Sequence, residues 1–140
     1  AAGGEDDLVG TSAQVIGRHQ VLSVGTKAQR VLQRKGDGTT IDWGRFYMAM
    51  PKNEVGALRV STPGSSESAT AKETRLLLKS RETPCASKGA EGHFAFLYDD
   101  EYSIQYFGQN LRPYWRKGGR TAESLLKNIT ANLAKDRAAC

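Results

Sequence analysis

The chemistry available to this sequence lies in its cations and flat rings. The densest place is Arg112-Pro113-Tyr114-Trp115-Arg116-Lys117-Gly118-Gly119-Arg120, where Arg112, Arg116, Lys117 and Arg120 are interleaved with Tyr114 and Trp115. Guanidinium and ammonium groups pair with phosphate and aromatic rings stack on unpaired bases, so the mixture suits a single strand. The bland reading is a solvated loop with Trp115 tucked into a core. Arg75, Lys79 and Arg81 recur at alternate positions of an apolar run, which places them on one side of a strand where they can track a phosphate backbone. Its plain alternative is an exposed edge. Arg30, Arg34 and Lys35 form a similar group with ambiguous facing. Arg45 and Tyr47 share the non-core side of their strand and serve either a ligand or a subunit contact.

Other constellations carry less. Asp99-Asp100-Glu101 has the composition of a metal or acid/base site, but it interrupts two aromatic runs as a hairpin turn does. His19 and His93 are the only histidines, and neither has a Cys or Ser at a recognisable catalytic or metal spacing. Asn128-Ile129-Thr130 matches a glycosylation acceptor inside the best helix of the chain. No Gly-rich loop leads into a Lys and a Ser or Thr. These residues predict a binding protein, not an enzyme, with no cofactor and no metal.

The elements that must position these groups are short. A chain of 140 residues is sized for one domain. Its 20 Lys and Arg against 15 Asp and Glu give a net charge of +5, which favours anionic partners. Glu5, Asp6 and Asp7 hold all the side-chain charge of residues 1–12, so residues 1–13 read as a flexible acidic arm and 14–140 as the domain. The two cysteines, Cys85 and Cys140, lack the spacing of a zinc or redox pair and fit a reduced compartment. No apolar run approaches the ~18 residues of a membrane span, so no membrane partner is expected.

Along the domain, Val15–Val24 and Gln29–Lys35 read as strands separated by Gly25-Thr26-Lys27 and closed at Gly36-Asp37-Gly38. Phe46, Met48 and Met50 alternate with Arg45, Tyr47 and Ala49 in the next strand. Pro51 opens a predicted short helix through about Val60, with Val55 and Leu58 as its apolar stripe. Residues 61–71 read as a loop or short edge strand. Thr74–Arg81 is a strand with Leu76 and Leu78 inward. Phe94 and Phe96 form the inward pair of His93–Tyr98, and Asp99-Asp100 turns it into a partner strand from Glu101 to about Gly108. The last element is a helix with Thr121 as N-cap and Ala122, Leu125, Leu126, Ile129 and Leu133 in its stripe.

Ile41-Asp42-Trp43-Gly44-Arg45-Phe46-Tyr47-Met48-Ala49-Met50-Pro51-Lys52-Asn53-Glu54-Val55-Gly56-Ala57-Leu58 resembles the Whirly-fold signature, in which a Tyr-Asp-Trp strand carries an alternating apolar run into a Ser-Pro-x-Glu-Val-Gly-x-Leu helix. The spacing of Asp42-Trp43 and Glu54-Val55-Gly56 is its specific part. The second half is similar too, with a Leu-rich strand, Gly92-His93-Phe94 and a helix opening Thr121-Ala122-Glu123. Within the family, residues 14–137 look most like the mitochondrial guide-RNA-binding RNA matchmakers of trypanosomes. Plant members carry Lys-Gly-Lys-Ala-Ala-Leu-Ser-Val for single-stranded DNA. Here Gly17-Arg18-His19-Gln20-Val21-Leu22-Ser23-Val24 stands in its place with one more residue between the glycine and the leucine, and less charge.

The resemblance implies an α+β fold of two antiparallel sheets of about four strands, each followed by a helix, in a ββββα repeat. It also implies a homo- or hetero-tetramer assembled through the helices, with a paralogue as a candidate subunit. The expected function is sequence-tolerant binding of guide RNA or other single-stranded RNA and promotion of annealing in mitochondrial RNA editing, in the kinetoplast, with the targeting segment outside these 140 residues. A plant-like single-stranded DNA-binding, transcription-associated module and a structural ribonucleoprotein subunit are the alternatives.

Overall fold

The computed structural model describes residues 9–33, 43–61, 74–82, 84, 87 and 89–139. The chain is α+β, with several antiparallel sheets and few helices. Among the described residues eight strands come first, β1 (Val9–Ile16), β2 (His19–Thr26), β3 (Arg45–Pro51), β4 (Val55–Ser61), β5 (Arg75–Ser80), β6 (Ala95–Asp99), β7 (Ile104–Tyr106) and β8 (Gln109–Leu111). Two helices, α1 (Ala122–Lys127) and α2 (Ile129–Ala139), follow. The strands form a four-stranded sheet in the order β1-β2-β3-β6 and two hairpins, β4-β5 and β7-β8.

The run expected as one strand over Val15–Val24 is two strands. Gly17 adopts φ 60, which glycine tolerates, and the chain reverses between Ile16 and His19, which are paired in register. Residues 9–13, expected in the acidic arm, are part of β1 and pair with Leu22–Thr26. The short polar side chains there present no obstacle to ladder formation. Of the expected strand Gln29–Lys35, the described residues 29–33 are turn and irregular backbone, with Gln29 bridging Thr26 and Gly44 through its side-chain amide.

The central strands are covered on both sides. Val21, Ala49 and Leu126 make one buried cluster beneath α1, joined by Ile16, Tyr47, Ala95, Leu97 and Ile129. Leu22, Met50 and Leu78 make the other beneath the β4-β5 hairpin, with Met48, Leu58, Val60 and Leu76. Successive strand residues point to opposite faces, so Val21-Leu22 and Ala49-Met50 each feed both clusters. The side of β3 bearing Arg45 and Tyr47, expected to be open, is therefore the helix-covered side.

Residues 55–60 are strand, not the expected helix. Only a 3-10 turn at Lys52–Glu54 follows Pro51. Leu58 and Val60 lie opposite Leu78 and Leu76 in the hairpin, and this cross-strand burial outweighs the weak i, i+3 signal of Val55 and Leu58. Gly56 sits at a register shift, where a Cβ would come 2.7 Å from the Ser80 carbonyl oxygen.

Phe94 and Phe96, expected inward, are 45% and 61% exposed. They extend the Met48 side of the sheet beyond what β4-β5 covers, and Phe46, Phe96 and Phe94 form a row of near-parallel rings with centroids 6.1 and 6.5 Å apart. The strand after Asp99-Asp100 does not pair with β6. Asp99 accepts the Glu101 N–H and the Tyr102 carbonyl accepts the Trp43 indole N–H, which bends the chain away, and β7 pairs with β8. Thr121 caps α1 in a reciprocal box with Ser124. The expected single helix is interrupted at Asn128, whose side-chain amide bonds back to the Ser124 carbonyl at 2.9 Å.

Candidate nucleic-acid interface

The outer face of the β4-β5 hairpin gathers exposed positive charge on a regular frame. Leu58, Val60, Leu76 and Leu78 fill the core, so alternation turns Arg75, Leu77 and Lys79 outward on β5. Ala57, Arg59 and Ser61 face outward beside them on β4, with Arg59 directly across from Leu77 and therefore between Arg75 and Lys79. Arg59, Arg75, Lys79 and Arg81 are all exposed, around a Leu77 that is 48% exposed. Side chains two apart on a strand repeat about every 6.6 Å, so the hairpin carries charge in steps rather than at one point.

Arg59 is absent from the sequence prediction because residues 55–60 read as helix. Its alternation with Leu58 and Val60 is the signal that finds it. Lys79 meets Glu82 at 3.2 Å, a pair with both side chains largely in water, which a phosphate can displace at little cost. Arg81 donates its backbone N–H to the Glu54 carbonyl and lines a cavity of about 530 Å³ with Asn53, Glu54, Glu82 and Glu91. That end of the surface is acidic, so an anionic ligand is bounded there.

The segment 112–120 belongs to a different side of the molecule. Asp99 lies opposite Arg45 on the face of the four-stranded sheet that carries Tyr47 and Ala49, away from β4-β5. Arg116 pairs with Asp99 in a bidentate contact along one guanidinium edge, its Nε donating at 3.0 Å to Oδ1 and its Nη2 to Oδ2, and the two side chains are 15% and 8% exposed. The hydrogen bond to Asp99 holds the Arg116 guanidinium above its ordinary pKa. Arg116 also lies over the Trp115 ring at 5.0 Å, so both side chains are engaged internally. Tyr114, 83% exposed, is accompanied by Lys117 at 5.5 Å, and Arg112 covers Tyr102 at 5.4 Å while facing Glu101 at 4.0 Å. Arg120 is exposed. Tyr114, Lys117, Arg112 and Arg120 thus form a second, looser basic and aromatic surface.

Arg45 and Tyr47 are occupied inside the fold. Arg45 donates to the Ser23 hydroxyl at 3.2 Å and to the Gly10 carbonyl at 3.5 Å. Burial, reinforced by nearby Asp99, raises the Tyr47 phenol above its ordinary pKa. Arg30 is half-buried in the turn after β2, while Arg34 and Lys35 lie outside the described residues. The candidates therefore divide among two surfaces on opposite sides of the four-stranded sheet and an interior set.

His19 is buried and edge-on to His93, with ring centroids 6.0 Å apart. Burial lowers its pKa first, His93 adds to that, and Glu54 opposes it. Among the described residues, no group of three or more His, Cys, Asp and Glu is arranged to hold a metal ion. Compared with family models, with curated proteins and with solved structures, the chain matches none, so its function is read from its own residues.

Proposed function

We propose that this chain is a sequence-tolerant RNA-binding protein that holds guide RNA or other single-stranded RNA by its phosphate backbone and promotes annealing. The observation that carries the reading is the outward alignment of Arg59, Arg75 and Lys79 on one hairpin whose inner face is committed to the core, with the exposed Arg81 just past its end. Arg and Lys bind phosphate without reading sequence, leaving base edges free. Neutralised phosphates repel a second strand less, so complementary RNAs meet faster.

The finer reading is Whirly-like. Its support is the succession of two runs of four strands, β1–β4 and β5–β8; among the described residues α1 and α2 both follow β8, so a helix after the first run rests on the resemblance alone. The mitochondrial location, the role in RNA editing, the guide RNA itself and the tetramer rest on the resemblance at Asp42-Trp43 and Glu54-Val55-Gly56.

The test is a salt titration of RNA binding followed by an annealing assay. Each phosphate contact contributes about −0.7 to the log–log slope for a single strand. Arg59→Ala/Arg75→Ala/Lys79→Ala/Arg81→Ala is expected to flatten that slope by roughly 2–3 for unrelated sequences alike. An unchanged slope removes the hairpin from the interface. Hybridisation of two labelled complementary RNAs should accelerate with protein at low salt and lose that gain as salt rises. Slower annealing at every salt would make the protein a single-strand coat.

A further inference from the structure

Two parts of this fold are unfinished in complementary ways. Among the described residues the β7-β8 hairpin joins no larger sheet, and an isolated two-stranded hairpin is marginally stable in water. Its apolar groups are exposed, with Ile104 at 55%, Tyr106 at 61%, Phe107 at 89% and Leu111 at 39%. Ile104 and Leu111 lie opposite each other on one face, beside the Tyr106 and Gln109 pair, while Gln105 donates to Asn110 on the other. The tip, Phe107-Gly108, has φ of 45 and 74, a geometry that suits a tight hairpin turn and projects Phe107 outward.

The other unfinished part is β6. It ends the order β1-β2-β3-β6, so among the described residues no strand lies beside its outer backbone edge. Its Phe96 and Tyr98 and the adjacent Phe94 are exposed at 61%, 44% and 45%. A bare edge with an apolar face is a template for strand addition. The hairpin of the same chain is held off that edge at residues 99–103, where Asp99 is fixed by Arg116 and the Tyr102 carbonyl by Trp43.

We infer that the β7-β8 hairpin of one copy of this chain adds to the β6 edge of another, extending the four-stranded sheet across the subunit boundary. Antiparallel addition through β7 sets Ile104 of one copy opposite Tyr98 of the other and Tyr106 opposite Phe96, which joins both apolar faces. It also runs β8 parallel to β6, bringing Arg112 of one copy to the Asp100 and Glu101 end of the other, so charge and apolar surface are matched in a single register. This interface is separate from the helix-mediated tetramer and from the basic face of β4-β5. Its test reads no RNA.

The experiment uses the full chain with Cys85→Ser and Cys140→Ser, in two differently tagged populations, one carrying Phe96→Cys and the other Tyr106→Cys. Mild diamide oxidation of the mixture is expected to give a disulfide-linked heterodimer carrying both tags, which only an intermolecular contact can produce. In parallel, light scattering of the unmodified chain is expected to show at least a dimer at micromolar concentration. Phe107→Asp, at a fully projecting tip that the core does not use, is expected to weaken that association at least tenfold while leaving the circular dichroism spectrum unchanged. A monomeric mass throughout overturns the inference. So does an oligomer without the mixed disulfide.

Discussion

At the scale of single residues, the contrast between Arg75 and Arg116 separates two uses of one side chain. Arg75 stands on an exposed strand face, while Arg116 is turned inward onto Asp99. Breaking a buried ion pair from one side leaves the other charge desolvated. Arg116→Ala is therefore expected to lower stability by about 3 kcal/mol, read from urea unfolding at neutral pH. A loss below about 1 kcal/mol would mark the pair as one screened by solvent. His19 gives a pH prediction. Its folded pKa lies below the ordinary value of 6.5, first through burial, and among the described residues His93 and Glu54 are ionisable groups that face it. The unfolded chain then takes up the proton first as pH falls, so the stability supplied by a neutral His19 is complete above the ordinary value and is lost progressively below it. Urea midpoints should fall between pH 7.5 and 5.5, and His19→Gln should shrink that difference. An equal fall in the variant would assign the dependence to other groups.

At the scale of elements, small helices depend on their ends. Helix α1 has six residues, yet it places Leu126 on Val21 and Ala49. Thr121 accepts the Ser124 N–H at 3.1 Å and the Ser124 hydroxyl returns a bond to the Thr121 N–H at 3.0 Å. Thr121→Ala removes the cap and is expected to cost about 1 kcal/mol, whereas Thr121→Ser should retain most of it. Chemical denaturation of the two variants side by side checks this, and equal losses would mean the hydroxyl is not the source. The cap was legible in the sequence because capping is local, set by residues within one turn. The strand character of residues 55–60 was not legible. Val55 and Leu58 fit a helical stripe, while Leu58 and Val60 fit a strand, and only the presence of Leu76 and Leu78 across the hairpin selects the second.

At the scale of the whole molecule, the four-stranded sheet is a partition between two cores. Leu126 fills one side and Leu78 the other, and the clusters they join share no buried residue. Removing one methylene from a buried side chain costs about 1 kcal/mol, and more where a cavity remains. Leu126→Val and Leu78→Val should therefore add within about 0.5 kcal/mol in the double variant, as expected of sites without common partners. A larger coupling, measured by a double-mutant cycle in urea, would show that the sheet transmits repacking from one side to the other. The same partition has a functional consequence, since it puts the β4-β5 basic face and the Tyr114–Lys117 surface on opposite sides. Exchanging Arg112 and Arg120 for Ala should thus shift the salt slope independently of the β4-β5 substitutions, and the two sets of changes should add.

What the sequence determined by itself is what neighbours along the chain decide. The alternation of Arg75, Leu76, Leu78 and Lys79, the Thr121 cap and the preponderance of cations follow from residue type and local backbone period, and the structure arranges them accordingly. What only the tertiary structure decided is which sides of those elements are covered. Tyr47 became half-buried because Leu126 of α1 packs on that side of the sheet, Arg45 because Ser23 and Gly10 engage it, and Phe94 and Phe96 became exposed because β4-β5 stops short of them. Arg116 became a largely buried, paired cation because Asp99, seventeen positions earlier, was held where it could accept from Nε and Nη2 together. Periodicity says that a side chain shares a face with others, and burial of that face depends on residues that the period cannot reach.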